Sequence, residues 1–232
     1  MTNPSKPLRL ALIGMSGAGK TYWTKLLSAA HYPVISSDDQ IEQRLAPILQ
    51  QGGFHGINGV AAWMGWPDSP TYAERESQYL SAEISSVGEV LTGLEKNPQS
   101  ELILDTSGSV IHVGNNLLFR LRKLMKVVYL AASAEEQQLL IQRFLDDPKP
   151  VLWRGAFQAR PGESPQDTVA RCYPALIGAR RQSYEALAHF TLPVAKLREL
   201  AAEAESRGES PGAAFLDRIR AQTGARNHAG SK

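Results

Sequence analysis

Short apolar runs alternate with longer stretches of helical periodicity along most of the chain. Strands are predicted at Leu8 to Ile13, Tyr32 to Ser36, Glu101 to Asp105, Lys126 to Ala131 and Phe190 to Ala195. Helices are predicted over Lys20 to Ala30, Asp38 to Gln50, Thr71 to Leu94, Gly114 to Leu124, Ala134 to Leu145, Pro165 to His189 and Pro211 to Thr223. Parallel neighbours need a long connection, usually a helix, so this alternation predicts an α/β fold with a parallel sheet and right-handed crossovers.

Two stretches break the rhythm. Gln51 to Pro70 is rich in glycine, tryptophan and turn signals, and Asp146 to Pro165 is loop-like, with Lys149, Arg154, Arg160 and four prolines. Segments of this kind near the carboxyl edge of a sheet serve as substrate caps and lids. The first is therefore read as an inserted cap at 51–70 and the second as a lid at 146–165, within a single domain over 1–223. The small polar residues at 224–232 are read as a flexible tail.

The strongest chemical signal follows the first strand. Gly14-Met15-Ser16-Gly17-Ala18-Gly19-Lys20-Thr21 fits G-x-x-x-x-G-K-[ST]. Glycines let the backbone wrap around phosphate oxygens, and the N–H groups of Gly17 to Thr21 form an anion nest at a helix N-terminus. Lys20 reaches the β- and γ-phosphates, and the Thr21 hydroxyl is placed to ligate Mg²⁺. The order strand, loop, amphipathic helix is the context that this motif requires.

Composition narrows the partners. A net charge of +2, with basic residues spread along the chain, gives no footprint for nucleic acid. The single cysteine, Cys172, excludes an intramolecular disulfide and reads as a small buried hydrophobe. No apolar stretch reaches membrane-spanning length and no signal-peptide core precedes the first strand, so a cytoplasmic monomer acting on a small molecule is expected.

Two further carboxylates stand at predicted strand ends. Ser36-Ser37-Asp38-Asp39 follows the second strand, where Asp38 can orient an acceptor hydroxyl and draw off its proton. The same residue types cap helices, and that reading stays open. The third strand runs Leu102-Ile103-Leu104-Asp105 into Thr106-Ser107-Gly108-Ser109. Asp105 is there either a holder of Mg²⁺-bound water or an organiser of the turn. Lid cations Lys149, Arg154 and Arg160, with Arg180 and Arg181 on the next helix, are candidates to neutralise a transferring phosphoryl group. His55, Trp63 and Trp66 fit a binding pocket, although packing under a loop is the commoner role for such aromatics.

Taken together, IGMSGAGKT, DDQIEQR, DTSGSVI, VVYLAASAEEQQL leading to KPVL, and RRQSYEAL resemble the shikimate kinase family of P-loop small-molecule kinases, over about Leu8 to Thr223. The resemblance implies a three-layer α/β/α fold with a five-stranded parallel sheet of order 2-3-1-4-5 and a closing lid. It also implies transfer of the ATP γ-phosphate to the 3-hydroxyl of shikimate. By position, Gly14, Ser16, Gly17, Ala18, Gly19, Lys20, Thr21 and Arg143 fall to ATP. Asp38 falls to the acceptor hydroxyl, Gly108 to the substrate turn, Arg180 to the substrate carboxylate, and Lys149 to the lid arginine's position, without that residue's fork. Thr21 falls to Mg²⁺, and Asp105, which stands where the family usually has a small hydroxyl residue, is read as the metal-facing carboxylate.

Three departures accompany the resemblance. Ser36 replaces the first Asp of the family's D-x-D, Thr106 and Ser107 replace two glycines of its G-G-G turn, and Ala73, in Tyr72-Ala73-Glu74-Arg75-Glu76, stands at the arginine of F-R-x-x-E. The metal-facing carboxylate is read as moved from strand two to strand three. The expected activity is MgATP-dependent phosphorylation of a small hydroxylated molecule, with shikimate as first reading. The alternatives are another hydroxylated acid, a nucleotide-like acceptor, or a non-catalytic ATP-binding module.

Overall fold

The computed structural model describes residues 7–147 and 149–229, with side chains to residue 222 in the last helix. Five strands, β1 (Arg9–Ile13), β2 (Val34–Ser36), β3 (Leu102–Asp105), β4 (Lys126–Ala131) and β5 (Phe190–Pro193), form one sheet. Their order is β2-β3-β1-β4-β5 and every pairing is parallel.

Period-two alternation along these strands feeds two cores. Ala11 and Ile13 of β1, Leu102 and Leu104 of β3, and Val127 and Tyr129 of β4 point to one face. Leu10, Leu12, Ile103, Val128 and Leu130 point to the other. The first face is covered by α2 (Ser37–Gln51), α3 (Gly56–Met64), α4 (Tyr72–Lys96), α5 (Asn115–Leu124), α6 (Ala134–Asp146) and α7 (Pro165–Leu187). The second face is covered by α1 (Lys20–Ala29), α8 (Val194–Ser206) and α9 (Pro211–Ala229), where Trp23 stacks on Phe215 at a centroid distance of 4.6 Å. The result is a three-layer α/β/α fold. Leu10, Leu12 and Ile13 are fully buried, and truncation of such a side chain to alanine typically costs about 2–5 kcal/mol.

The structure departs from the expected elements in four places. The 51–70 segment is not a plain loop: α3 forms inside it and buries Val60, Trp63 and Met64. A whole helix, α8, follows β5, which stops at Pro193 and does not continue to Ala195. A short 3-10 turn occupies Val110–His112. The last helix runs past Thr223 to Ala229, through most of the expected tail, and residues 230–232 lie outside the described residues. Among the described residues, no helix is long and apolar enough to cross a membrane.

Candidate active site

At the carboxyl edge of β1 the chain turns through the predicted phosphate loop, and the glycines there are dictated by geometry. Gly17 and Gly19 have φ of 80° and 91°, a region that strains any L side chain. A Cβ on Gly14 would meet the Leu130 carbonyl oxygen at 2.8 Å, and one on Gly17 would meet Leu140 Cδ2 at 2.8 Å. Ala18 is buried under the loop, whereas Ser16, Gly17 and Thr21 are exposed on its outer side. Lys20, the first residue of α1, is buried and its Nζ donates to the carbonyl oxygens of Gly14 at 2.9 Å and Met15 at 3.1 Å. Burial lowers its pKa, the carboxylates of Asp105 and Asp38 oppose that shift, and Arg180 adds to it. A bound anion would restore the ammonium.

The two strand-end carboxylates have different surroundings. Ser36 caps α2, its Oγ accepting from Asp39 N at 3.2 Å, so Asp38 is not the capping residue. Asp38 is partly buried and faces the loop. Burial raises its pKa, Lys20 and the nearby Tyr79 hydroxyl lower it, and Asp105 and Asp39 raise it further. Asp105 is buried behind the loop, where its Oδ2 accepts from Thr24 Oγ1 at 3.0 Å.

A cleft of about 280 Å³ opens above these residues. It brings together Ser16, Gly17, Gly19, Lys20, Thr21, Asp38, Gly108, Lys149 and Arg180, nine of the residues singled out in the sequence. Asp105 is not among its lining, and Gly14 and Ala18 build the loop from behind. Arg143 lies instead in an adjoining cleft of about 320 Å³ with Ser16, Gly17, Phe144, Lys149 and Tyr173. Lys149 joins the two clefts, and its Nζ also bonds Asn58 of α3 and Asp147. Of the other candidate cations, Arg181 is paired with Glu185 at 2.8 Å on the surface. Neither Arg154 nor Arg160 lines the cleft.

Arg180 is 4% exposed and lines the cleft. Its Nη1 donates to the Gly108 carbonyl oxygen at 3.2 Å and its Nη2 to that of Leu152 at 2.6 Å, while the buried Nε has no protein partner. The guanidinium thus ties the turn after β3 to the 146–165 segment. Tyr184 donates to the same Gly108 oxygen.

Sequence reasoning missed the residues behind that turn. Ser107 and Ser109 both donate to Glu83, which is fully buried on α4, with Ser109 Oγ 2.7 Å from Glu83 Oε2. Burial pushes the Glu83 carboxyl up to about 7, Ser107 and Ser109 pull it down, Asp38 pushes it up and Arg180 pulls it down. Tyr79, one turn earlier on α4, lines the same cleft as Asp38.

The aromatic-x-x-x-Glu spacing of F-R-x-x-E occurs twice on this helix, and the structure puts the second copy, Tyr79-Leu80-Ser81-Ala82-Glu83, at the cleft. The first copy holds the 146–165 segment: Tyr72 Oη donates to the Val151 carbonyl oxygen at 2.8 Å, accepts from Trp153 N at 3.1 Å, and meets Glu76. Arg75 donates to the Trp63 carbonyl oxygen and lies over the Trp63 ring at 5.8 Å, which fixes α3 to α4. Trp63 is accordingly a packing residue. His55 is the residue before α3, and Trp66 packs edge-on against Phe144.

No family model matches the sequence, and no curated protein matches it either. Solved structures do. Shikimate kinase from Acinetobacter baumannii in complex with shikimate is 24% identical, aligning 81% of this chain with 84% of its own at a TM-score of 0.51. Shikimate kinase from Bacteroides thetaiotaomicron is 20% identical over 84% of this chain and 98% of that one, at 0.50. Shikimate kinase from Aquifex aeolicus is 13% identical over 97% and 100%, at 0.52. The chain has the P-loop kinase fold of the shikimate kinase structures.

Proposed function

We propose that the protein transfers the γ-phosphate of ATP to a hydroxyl of a small molecule. One observation carries this reading: Lys20, Asp38 and Arg180 line a single cleft directly above the phosphate loop. The loop suits a nucleoside triphosphate, because a side chain at Gly14 or Gly17 would collide with neighbouring atoms and the Lys20 ammonium is already held on the loop's carbonyls. The Thr21 hydroxyl and the Asp105 carboxylate are hard oxygen donors of the kind Mg²⁺ takes directly or through water. MgATP supplies the phosphoryl group.

The chain's own residues position and compensate. Lys20 offsets negative charge on the β/γ side of the loop. Asp38, raised in pKa by burial, accepts the proton of the attacking hydroxyl. Arg180 lines the same cleft and suits a carboxylate of the acceptor. Lys149 brings a lid cation to the junction of both clefts, where charge spreads during transfer. Arg143 and the adjoining cleft are assigned to the rest of the nucleotide.

Shikimate is the first acceptor to try. A hydroxylated acid of different shape is the second reading, favoured by Leu80 and Ala73, neither of which supplies the arginine of F-R-x-x-E. Coupled ADP release across a panel of hydroxylated metabolites, shikimate included, tests the proposal. It is supported by acceptor-dependent ADP formation and refuted by ATP turnover that no acceptor stimulates.

A further inference from the structure

The turn after β3 is held from three directions, and the deepest hold comes from a carboxyl group with no exposure to solvent. Glu83 of α4 is fully buried, and Ser107 and Ser109 are nearly so. Ser107 Oγ donates to Glu83 Oε1, and Ser109 Oγ donates to Glu83 Oε2 at 2.7 Å. The two hydroxyl oxygens lie 3.0 Å apart, and Ser109 N donates to Ser107 Oγ at 3.1 Å. Just before them, Thr106 Oγ1 donates to the Leu12 carbonyl oxygen at 2.8 Å, which ties the start of the turn to β1. Burying a carboxyl costs stability unless it is well partnered, so packing alone does not account for Glu83.

Between the two serines stands Gly108, and its carbonyl oxygen is the third hold. Arg180 Nη1 donates to that oxygen at 3.2 Å, and Tyr184 Oη donates to it as well. The other terminal nitrogen of the guanidinium, Nη2, donates to the Leu152 carbonyl oxygen at 2.6 Å. Gly108 and Arg180 both line the cleft over the phosphate loop. Position 108 also abuts that loop, since a Cβ there would lie 3.6 Å from Ser16 N. With the residues on either side fixed by Glu83, the Gly108 carbonyl has one direction in which to point.

We propose that Glu83 is a positioning residue: through Ser107 and Ser109 it fixes the Gly108 carbonyl, and that carbonyl fixes the Arg180 guanidinium in the orientation that receives the acceptor. The inference rests on the kinase reading above. Glu83 does not line the cleft, so it acts only through the turn. A long arginine side chain loses considerable rotamer freedom when it is ordered. Here the fold orders it in advance, and the acceptor gains its contact without that loss. The effect of Glu83 therefore falls on acceptor binding rather than on the chemical step.

Two measurements on the full chain test this. The first needs no acceptor: proton–nitrogen NMR of arginine side chains, following solvent exchange of the Arg180 Nε–H, which is buried and without a protein partner. Its signal is assigned by its loss in Arg180→Lys. Ser109→Ala should speed that exchange about tenfold, the equivalent of one hydrogen bond to a charged group. Glu83→Leu combined with Ser107→Ala and Ser109→Ala replaces the whole polar cluster by apolar groups and leaves no buried carboxyl unpaired, so the fold should persist. That triple variant should lose the Arg180 protection altogether. Exchange at the wild-type rate in folded Ser109→Ala, or full protection in the triple variant, overturns the proposal.

The second is turnover with an acceptor that stimulates ADP release. Ser109→Ala should raise the KM for acceptor about tenfold, with little change in kcat or in the KM for MgATP. In an Arg180→Ala background the same substitution should have no further effect, because the serine acts through the arginine. A loss of kcat with acceptor KM unchanged, or effects that multiply, overturns it. If no acceptor is phosphorylated the kinase reading fails, and the exchange measurement still decides whether Glu83 and its serines hold Arg180.

Discussion

Ser36 and Asp105 are register partners at the carboxyl ends of β2 and β3. Parallel strands hold such partners side by side about 4.8 Å apart, so a carboxylate on either strand reaches the same region behind Lys20. Ser36 is occupied in capping α2, and Asp105 is buried against Thr24. Aspartate also caps helices well, so Ser36→Asp is compatible with the α2 start.

The metal reading follows from this pairing. Asp105→Asn should raise the Mg²⁺ concentration needed for half-maximal activity, and adding Ser36→Asp should recover part of the loss. The two effects should not add, because both carboxylates address one ion. Mg²⁺ titrations of the single and double variants check this. Simple additivity would mark Asp105 as an organiser of the turn and of Thr24.

Asp38→Asn separates a chemical role from a capping one. The cap belongs to Ser36, so the variant should keep its thermal stability and MgATP affinity while turnover falls by roughly 10² to 10⁴, the range for a positioned general base. Calorimetry and steady-state rates on one preparation decide it. Loss of stability with turnover intact would contradict the assignment.

Glu83 predicts a pH dependence of folding with a definite sign. Its folded pKa of about 7 lies above the ordinary 4.5, so the native state holds the proton more tightly than the unfolded chain. The stability it contributes is complete below pH 4.5, declines as pH rises through that window, and is lost above about 7. At about 1.4 kcal/mol per unit the change is roughly 3 kcal/mol. Denaturant unfolding at pH 5 and pH 8 should show the wild type losing more stability than Glu83→Gln. Equal losses would contradict the burial account.

What was legible in the sequence was what local pattern determines. β4 is bounded as the apolar run Lys126 to Ala131 suggests, and the phosphate loop, its flanking strand and α1 follow from glycine spacing and periodicity. Helix α3 was hidden because Gly56 and Gly59 lower helix propensity, and only packing of Val60, Trp63 and Met64 against the neighbouring helices stabilises it. Helix α8 was hidden behind Pro193, Val194 and Ala195, which extend the apolar run of β5. The spacing of Leu197, Ala201 and Ala204 was the available signal.

At the site, residues bound to a motif were found, and those placed by tertiary contact were not. Tyr72 and Tyr79 lie seven residues apart, two turns of one helix face, and each has a glutamate four residues on. Sequence spacing cannot choose between the copies. The fold does, by giving the first to the Val151 carbonyl and placing the second with its tyrosine in the cleft and its glutamate on the serines of the turn after β3. Glu83 carried no signal as an isolated acidic residue, because its meaning depends on Ser107 and Ser109 across the core.

In the proposed reaction Lys20 and its loop deliver a phosphoryl group to an acceptor held in the Asp38 cleft. Phosphorus NMR of purified protein with MgATP and an acceptor that stimulates ADP release follows the γ-phosphate directly. The wild type should convert the γ resonance into a phosphoester of the acceptor together with ADP, in equal amounts. Lys20→Ala, folded by circular dichroism, should form no phosphoester on the same timescale, having lost the point charge at the β/γ position. Transfer by Lys20→Ala at the wild-type rate, or release of inorganic phosphate without a phosphoester in the wild type, would contradict the account.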